Sequence, residues 1–477
     1  MSPSILPMDS ATPSWALWPE AVRLSILQAL LEDGCSLAWL ATVSREWQNV
    51  IEEHNFARIK VTLPRLASLG PMIRRNRFRV KYIWLCVELE RYSSVEAISN
   101  GHERTVSQKD FRLFTDAIQN LFKELIKWGP GGELLLDISV YSPSDSNHLF
   151  KYLTTEPDTP SKQCLGVGNV DDMDKAGRRW NRWSAASKAD KAIIKTSSFI
   201  KTDDLSTDDE ALDREFEWLD TLPDVPAVTG VLLRQQTRRS WDWNTLLEIL
   251  HHFPNLQELF YEPWRSLDPY SQQRVDQGYD MLIDAMGSRE LEHFSASFMI
   301  DASLFFASCR PSWTWPYLTS LALTSQWLDP EASQANIVEL LTSAAAVARR
   351  MPELQTMGLW NGQRRLATLF QYQSRPATIT WRSTWDFALL PSVIPAWEAV
   401  ANYHGAAELD VKKELFRNPT VFKSHGDAIH YLKLAHPVVR PVSLQQIRME
   451  NKVHRRWRKM RKAKARRDMG EDREVAN

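Results

Sequence analysis

An α/β fold of alternating strands and helices, preceded by a helical N-terminal unit and closed by an atypical C-terminal cap, is predicted by three features of the 477-residue sequence. The first is a short template in the centre of the chain: an aromatic residue or Met, then Pro, x, Leu, x, x, Leu or Met, x, apolar. It is written in Phe253 to Tyr261, Trp315 to Leu323 and Met351 to Leu359, with a looser copy in Leu291 to Ala296. The leucines that open these copies, Leu256, Leu291, Leu318 and Leu354, lie 35, 27 and 36 residues apart, which leaves room for one strand and one helix per step. The second is the alternation of β-branched and aromatic runs with segments of 3.6-residue periodicity. The third is a globular balance, 43% hydrophobic against 25% charged, which supports a large core spread over about two to three domains.

Residues 1–16 are read as a disordered N-terminus, and the unit that follows spans 17–60. A helix is predicted from Pro19 to Leu31, because proline loses nothing at a first helical position, Glu20 complements the helix N-terminus and Gly34 can stop the helix. Its apolar residues fall on two overlapping faces, Val22, Ile26, Leu30 and Leu24, Leu27, Leu31. That is wider than the stripe one core requires, so a second partner is implied. Ser36 offers an N-cap for a second helix in which Leu37, Leu40, Val43, Trp47 and Val50 or Ile51 recur at helical steps.

At Trp18-Pro19-x-x-Val22, Ile26, Leu30 and Val43-Ser44-Arg45-Glu46-Trp47, with Ile51 and Phe56 beyond, the chain resembles the F-box. This helical module docks substrate receptors onto the adaptor of cullin–RING ubiquitin ligases. The sequence departs from the pattern in having Leu17 one residue early, with Trp18 before the proline, and Ser44 in place of a Cys. Neither change removes an apolar anchor. The resemblance implies that Leu17, Pro19, Val22, Ile26, Leu30, Leu37 and Val43 face a Skp-type adaptor, while Leu27, Leu40, Trp47 and Ile51 form the module's own core.

Beyond this unit, residues 78–153 hold one strand–helix–strand step. A strand is predicted over Val80–Leu89, a helix over Gln108–Lys127 and a second strand over Glu133–Tyr141, after the break at Gly129-Pro130-Gly131-Gly132. Residues 154–210 are poor in large apolar groups and read as a low-order insertion. Its Cys164-Leu165-Gly166-Val167-Gly168 lacks the flanking strand, helix and lysine of a phosphate loop. The template copies occupy 211–365, with helices expected at Trp243–Phe253, Val275–Met286 and Ile337–Arg350. They resemble a degenerate leucine-rich repeat without the repeat asparagine, so an irregular solenoid is the expected architecture.

A cap is expected over 366–442, with a hairpin of Leu366–Gln371 and Ala377–Arg382 turning at Ser374-Arg375-Pro376, and helices at Val393–Tyr403 and Asp427–Leu434. Thr380 to Phe387, on through Trp397, is similar to the closing region of F-box proteins found in large fungal families. A tail, 443–477, should be a protruding helix capped by Ser443. It carries ten Lys or Arg and no acid between Lys452 and Arg467; the chain's net charge is −1, so the remainder carries −11. Arg455, Arg456, Arg458, Lys459, Arg461 and Lys462 are its candidate import or nucleic-acid residues.

The sequence has no apolar run of membrane-spanning length and no secretory leader, so cytosol or nucleus is expected and membrane is not. The four cysteines, Cys35, Cys86, Cys164 and Cys309, form no C-x-x-C pair. His251-His252 and the trio His425, His430, His436 lack metal-ligand spacing. The pairs Trp241/Trp243, Trp313/Trp315 and Trp381/Trp385 suggest packing before a ligand platform. No cofactor and no catalysis by this chain are expected. The expectation is a substrate-recruiting F-box subunit of a Skp–cullin–F-box type E3 ligase, with an adaptor, a cullin through it, and an unknown protein target as partners. The alternative is a non-degradative scaffold or a nuclear binding protein using the basic tail, although nucleic acid is not the expected partner.

Overall fold

In the computed structural model, residues 15–32, 37–92, 108–145, 158, 198–199, 218–237, 240–241, 243–262, 291–298, 300–388 and 391–474 are described. Two helices open the chain, α1 (Glu20–Glu32) and α2 (Arg45–Ala57). The expected helix over Pro19–Leu31 therefore forms, but the second is interrupted. Ala38–Thr42 winds as a 3-10 turn, Ser44 is extended with φ −158°, and its side chain accepts from the Trp47 N–H to start α2. The periodicity of Leu37 to Ile51 spans this break because a 3-10 turn and an α-turn advance similarly over a few residues. Ser36 and Gly34 lie outside the described residues.

The backbone passes directly from α2 into β1 (Arg58–Thr62), the edge of an eleven-stranded sheet. After α3 (Leu63–Ile73) come β2 (Tyr82–Glu88), α4 (Gln108–Leu125) and β3 (Leu134–Tyr141). The short β4 (Ser198–Phe199) and β6 (Ser240–Trp241) pair with each other as a separate two-stranded sheet. The sheet continues with β5 (Val228–Leu233), β7 (Glu258–Tyr261), β8 (His293–Ser295), β9 (Ser320–Thr324) and β10 (Thr356–Gln363), parallel to one another and in chain order. An antiparallel hairpin of β11 (Leu366–Ser374) and β12 (Ala377–Ser383) follows, and β13 (Asp410–Leu415) closes the far edge in parallel with β12.

The template copies occupy equivalent places in this sheet. Their apolar positions, Leu256, Leu259, Tyr261, then Leu291, Phe294, Ala296, then Leu318, Leu321, Leu323, then Leu354, Met357, Leu359, are all buried in one core. The residue after each opening leucine bonds to its counterpart one copy back. Glu292 N–H donates to the Gln257 carbonyl (2.9 Å), Thr319 to Glu292 (2.8 Å) and Gln355 to Thr319 (2.8 Å). Helices α5 (Trp243–His251), α6 (Ala302–Ser308), α7 (Gln334–Ala348) and α8 (Val393–Tyr403) join α3 and α4 on the same side of the sheet. The helix expected over Val275–Met286, and the insertion 154–210 apart from residues 158 and 198–199, lie outside the described residues.

Over β9–β11 the opposite face of the sheet is covered by the chain's own C-terminal segment. Helix α9 (His425–Leu432), the loop after it and the first turns of α10 (Pro441–Glu474) pack Ala428, Ile429, Leu432 and Val438 on Ala322, Trp360, Ala367 and Leu369. Ser443 is not the cap of α10. Pro441 takes the first helical position, where its missing N–H costs nothing, and Ser443 lies inside the helix and fully buried.

Candidate functional site

Trp15, Arg23 and Glu46 lock the N-terminal unit together. The Trp15 indole N–H and the Arg23 Nε–H each donate to the Glu46 carboxylate at 2.9 Å, Arg23 also reaches the Trp18 carbonyl at 2.7 Å, and the rings of Trp15 and Trp47 lie 5.2 Å apart. The Trp15 bond, then that of Arg23, holds the Glu46 carboxyl below its usual range. Leu27 and Ile51 are buried beneath these contacts, with Leu40 and Trp47 half-buried. Arg79 reaches the Asn49 carbonyl at 3.2 Å and Arg75 pairs with Glu52, which ties α2 to the body.

Several large apolar side chains of this unit remain uncovered. Leu17 (78% exposed), Trp39 (68%) and Val43 (59%) stand in solvent with Trp18, Val22 and Leu24, and Pro19 is exposed among them. Ile26 and Leu30 are half-buried, and Leu37 is buried. Six large apolar side chains are thus exposed on one short helical unit, with Val22 and Leu24 on different sides of α1, a surplus that soluble surfaces avoid unless they bind something. Leu24, on the second apolar face of the sequence reading, is exposed rather than packed, and Trp39 is exposed although nothing in the sequence singles it out. The 3-10 turn brings Trp39 outward, and that turn is invisible to a helical-period reading.

The second concentration of chemistry-bearing groups is buried. Arg234 pairs with Asp137 at 2.8 Å, both fully buried, and the Tyr82 hydroxyl donates to the same carboxylate. Beside them the Glu262 carboxylate accepts from the Arg440 N–H and the Ser443 hydroxyl at the start of α10, Gln235 donates to the Ser443 carbonyl at 2.7 Å, and Arg440 pairs with Asp158. Burial pushes Glu262 up to about 7, against the opposing pull of the Arg440 N–H, Ser443 and Arg234. These groups join strand ends to the C-terminal segment.

The histidines are dispersed. His251 meets Glu248, His252 meets Asp224 at 3.2 Å, His425 packs on Phe298, and His436 lies on His293 with ring centres 5.1 Å apart. Among the described residues no three His, Cys, Asp or Glu gather as a metal would require. Trp315 and Trp381 are buried against Trp313 and Trp385, which makes these pairs core. The side chains of Trp241 and Trp243 lie outside the described residues. In the tail Arg455, Arg456 and Lys459 are exposed, and the side chains of Arg458, Arg461 and Lys462 are outside the described residues. No helix among the described residues is long and apolar enough to cross a membrane.

Residues 243–440 match a protein-family model described as a family of unknown function, DUF6546. The match begins with α5 and ends beside the Arg440–Glu262 contact. It covers less than half of the chain and leaves out the N-terminal unit. A comparison with curated proteins returned no match.

Proposed function

We propose that this chain is an F-box subunit of a Skp–cullin–F-box type E3 ubiquitin ligase, holding an adaptor through its N-terminal unit and a protein target through its body. The observation that carries the reading is the exposure of Leu17, Trp18, Val22, Leu24, Trp39 and Val43 on a unit in which Leu27 and Ile51 are buried. Such surplus hydrophobicity on a pair of short helices matches an adaptor groove that accepts apolar anchors. The body is read as leucine-rich-repeat-like, which the strand order and the copy-to-copy hydrogen bonds support. Its role is proximity, since a tethered target gains effective concentration at the ligase without chemistry by this chain.

The covered open face of the sheet bears on where a target docks. Strands β9 to β11 carry α9 and Val438 there, so the target surface in this reading lies on the loops and outer helices. Val22→Asp combined with Val43→Asp tests the adaptor contact. Both side chains are exposed, so the variant should keep its helix content and melting midpoint. A buried unpaired carboxylate at the interface should weaken adaptor binding by at least ~3 kcal/mol. Co-purification of a Skp-type adaptor at the wild-type level with this variant would refute the proposal.

A further inference from the structure

We infer that the outer part of α10 is an arm that binds duplex DNA by lying in its major groove. The helix is anchored at its start, where Val442, Ser443, Gln446 and Ile447 are buried, Arg448 faces Asp427 at 3.7 Å and Asn451 donates to the Lys423 carbonyl at 3.3 Å. From Lys452 it continues as helix to Glu474 with Lys452, Arg455, Arg456, Lys459 and Met460 exposed. Ten cations and no acid fall between Lys452 and Arg467. At 1.5 Å per residue this stretch is about 24 Å long, or roughly seven base pairs of duplex.

Helical spacing gathers the charge further. Seven of the ten cations, Lys452, Arg455, Arg456, Lys459, Lys462, Arg466 and Arg467, fall within an arc of about 140°. Like charges three and four residues apart destabilise an isolated helix. A partner that brings two rows of phosphates removes that penalty and releases its own counterions. An α-helix of about 10–12 Å diameter fits the major groove of about 12 Å. The rest of the chain carries −11, so a duplex is drawn to the arm and repelled from the body. A bilayer surface is the poorer fit. Val453, Trp457 and Met460 are the only large apolar residues in the stretch, far short of the continuous face an interfacial helix buries.

The inference is independent of the adaptor reading and is tested on the full chain by fluorescence anisotropy with a labelled 20-base-pair duplex at 50–300 mM KCl. Log affinity should fall with log salt with a slope of about −4 to −7, as expected for that many phosphate contacts. Lys452→Gln, Arg455→Gln, Arg456→Gln and Lys459→Gln together should weaken binding at least tenfold at 100 mM KCl. They should also flatten the slope by about 2 to 4, with the melting midpoint unchanged. No binding at 50 mM KCl, or an unaltered slope in the four-site variant, overturns the inference. So does capture by phosphatidylserine vesicles without capture by duplex.

Discussion

Glu262 is a carboxylate held at a helix start with its usual solvation removed. It meets the Arg440 N–H and the Ser443 hydroxyl on α10, with Gln236 beside Ser443 and Arg234 and Asp158 as the charged groups nearby. Its pKa in the folded chain is about 7, against an ordinary value of 4.5, so the native state binds the proton more tightly than the unfolded chain does. Stability contributed by this proton is therefore full below about pH 4.5 and is lost as pH rises through 7. The Glu262→Gln variant keeps an acceptor and carries no charge. Relative to wild type it should gain stability as pH rises from 5.5 to 8, by an amount of order 3 kcal/mol at most. Urea midpoints of the two proteins at both pH values check this, and a difference that does not change with pH would contradict it.

Helix α9 sits so close to the sheet that one strand position tolerates only glycine. A Cβ built on Gly362 in β10 would lie 2.3 Å from the Ala428 Cβ, a contact that neither backbone can yield without moving. Gly362→Ala should therefore cost about 1–3 kcal/mol and lift α9 from Trp360 and Leu369. Hydrogen exchange across 425–434 should quicken in that variant. Unchanged protection with an unchanged midpoint would show that the packing is looser than described. This docking was the part least legible in the sequence. The template copies foretold β7 to β10 because every leucine in them has one destination, the helix-side core. The apolar groups of 425–447 foretell a helix at Asp427–Leu434 but not what it packs on, because the partners of this stretch lie as far as 282 positions away, as Asp158 does from Arg440. Leu17, Val22 and Val43 are exposed, as surplus apolar residues on a short helical unit lead one to expect. Leu37 escaped because its burial depends on a turn rather than on a helix.

At the scale of the molecule, stacked strands alone would leave stability local, since each unit touches only its neighbours and separate stretches could melt at separate denaturant concentrations. The C-terminal segment works against that. Arg382 on β12 donates to the Leu432 carbonyl, Leu432 and Val438 pack in one cluster with Trp360 and Leu369, and nine residues after Leu434 Ser443 meets Glu262, beyond β7. One stretch of chain thus bonds to strands at the two ends of the β7–β12 block, while Ile59 through Val400 share a single helix-side core. Opening any strand of that block then breaks contacts with the segment that others depend on, so the block should unfold as one unit. Tryptophan emission, sensitive to buried Trp360, Trp381 and Trp397, and far-ultraviolet dichroism should give coincident urea transitions. Removing residues 416–477 should split them, because Trp360 and Leu369 lose their cover and the polar ends at Glu262 and Gln235 lose their partners. If the two probes already diverge in the intact chain, or stay coincident after the truncation, the segment is not what couples the strands. The sheet would then hold together through its neighbouring pairs alone.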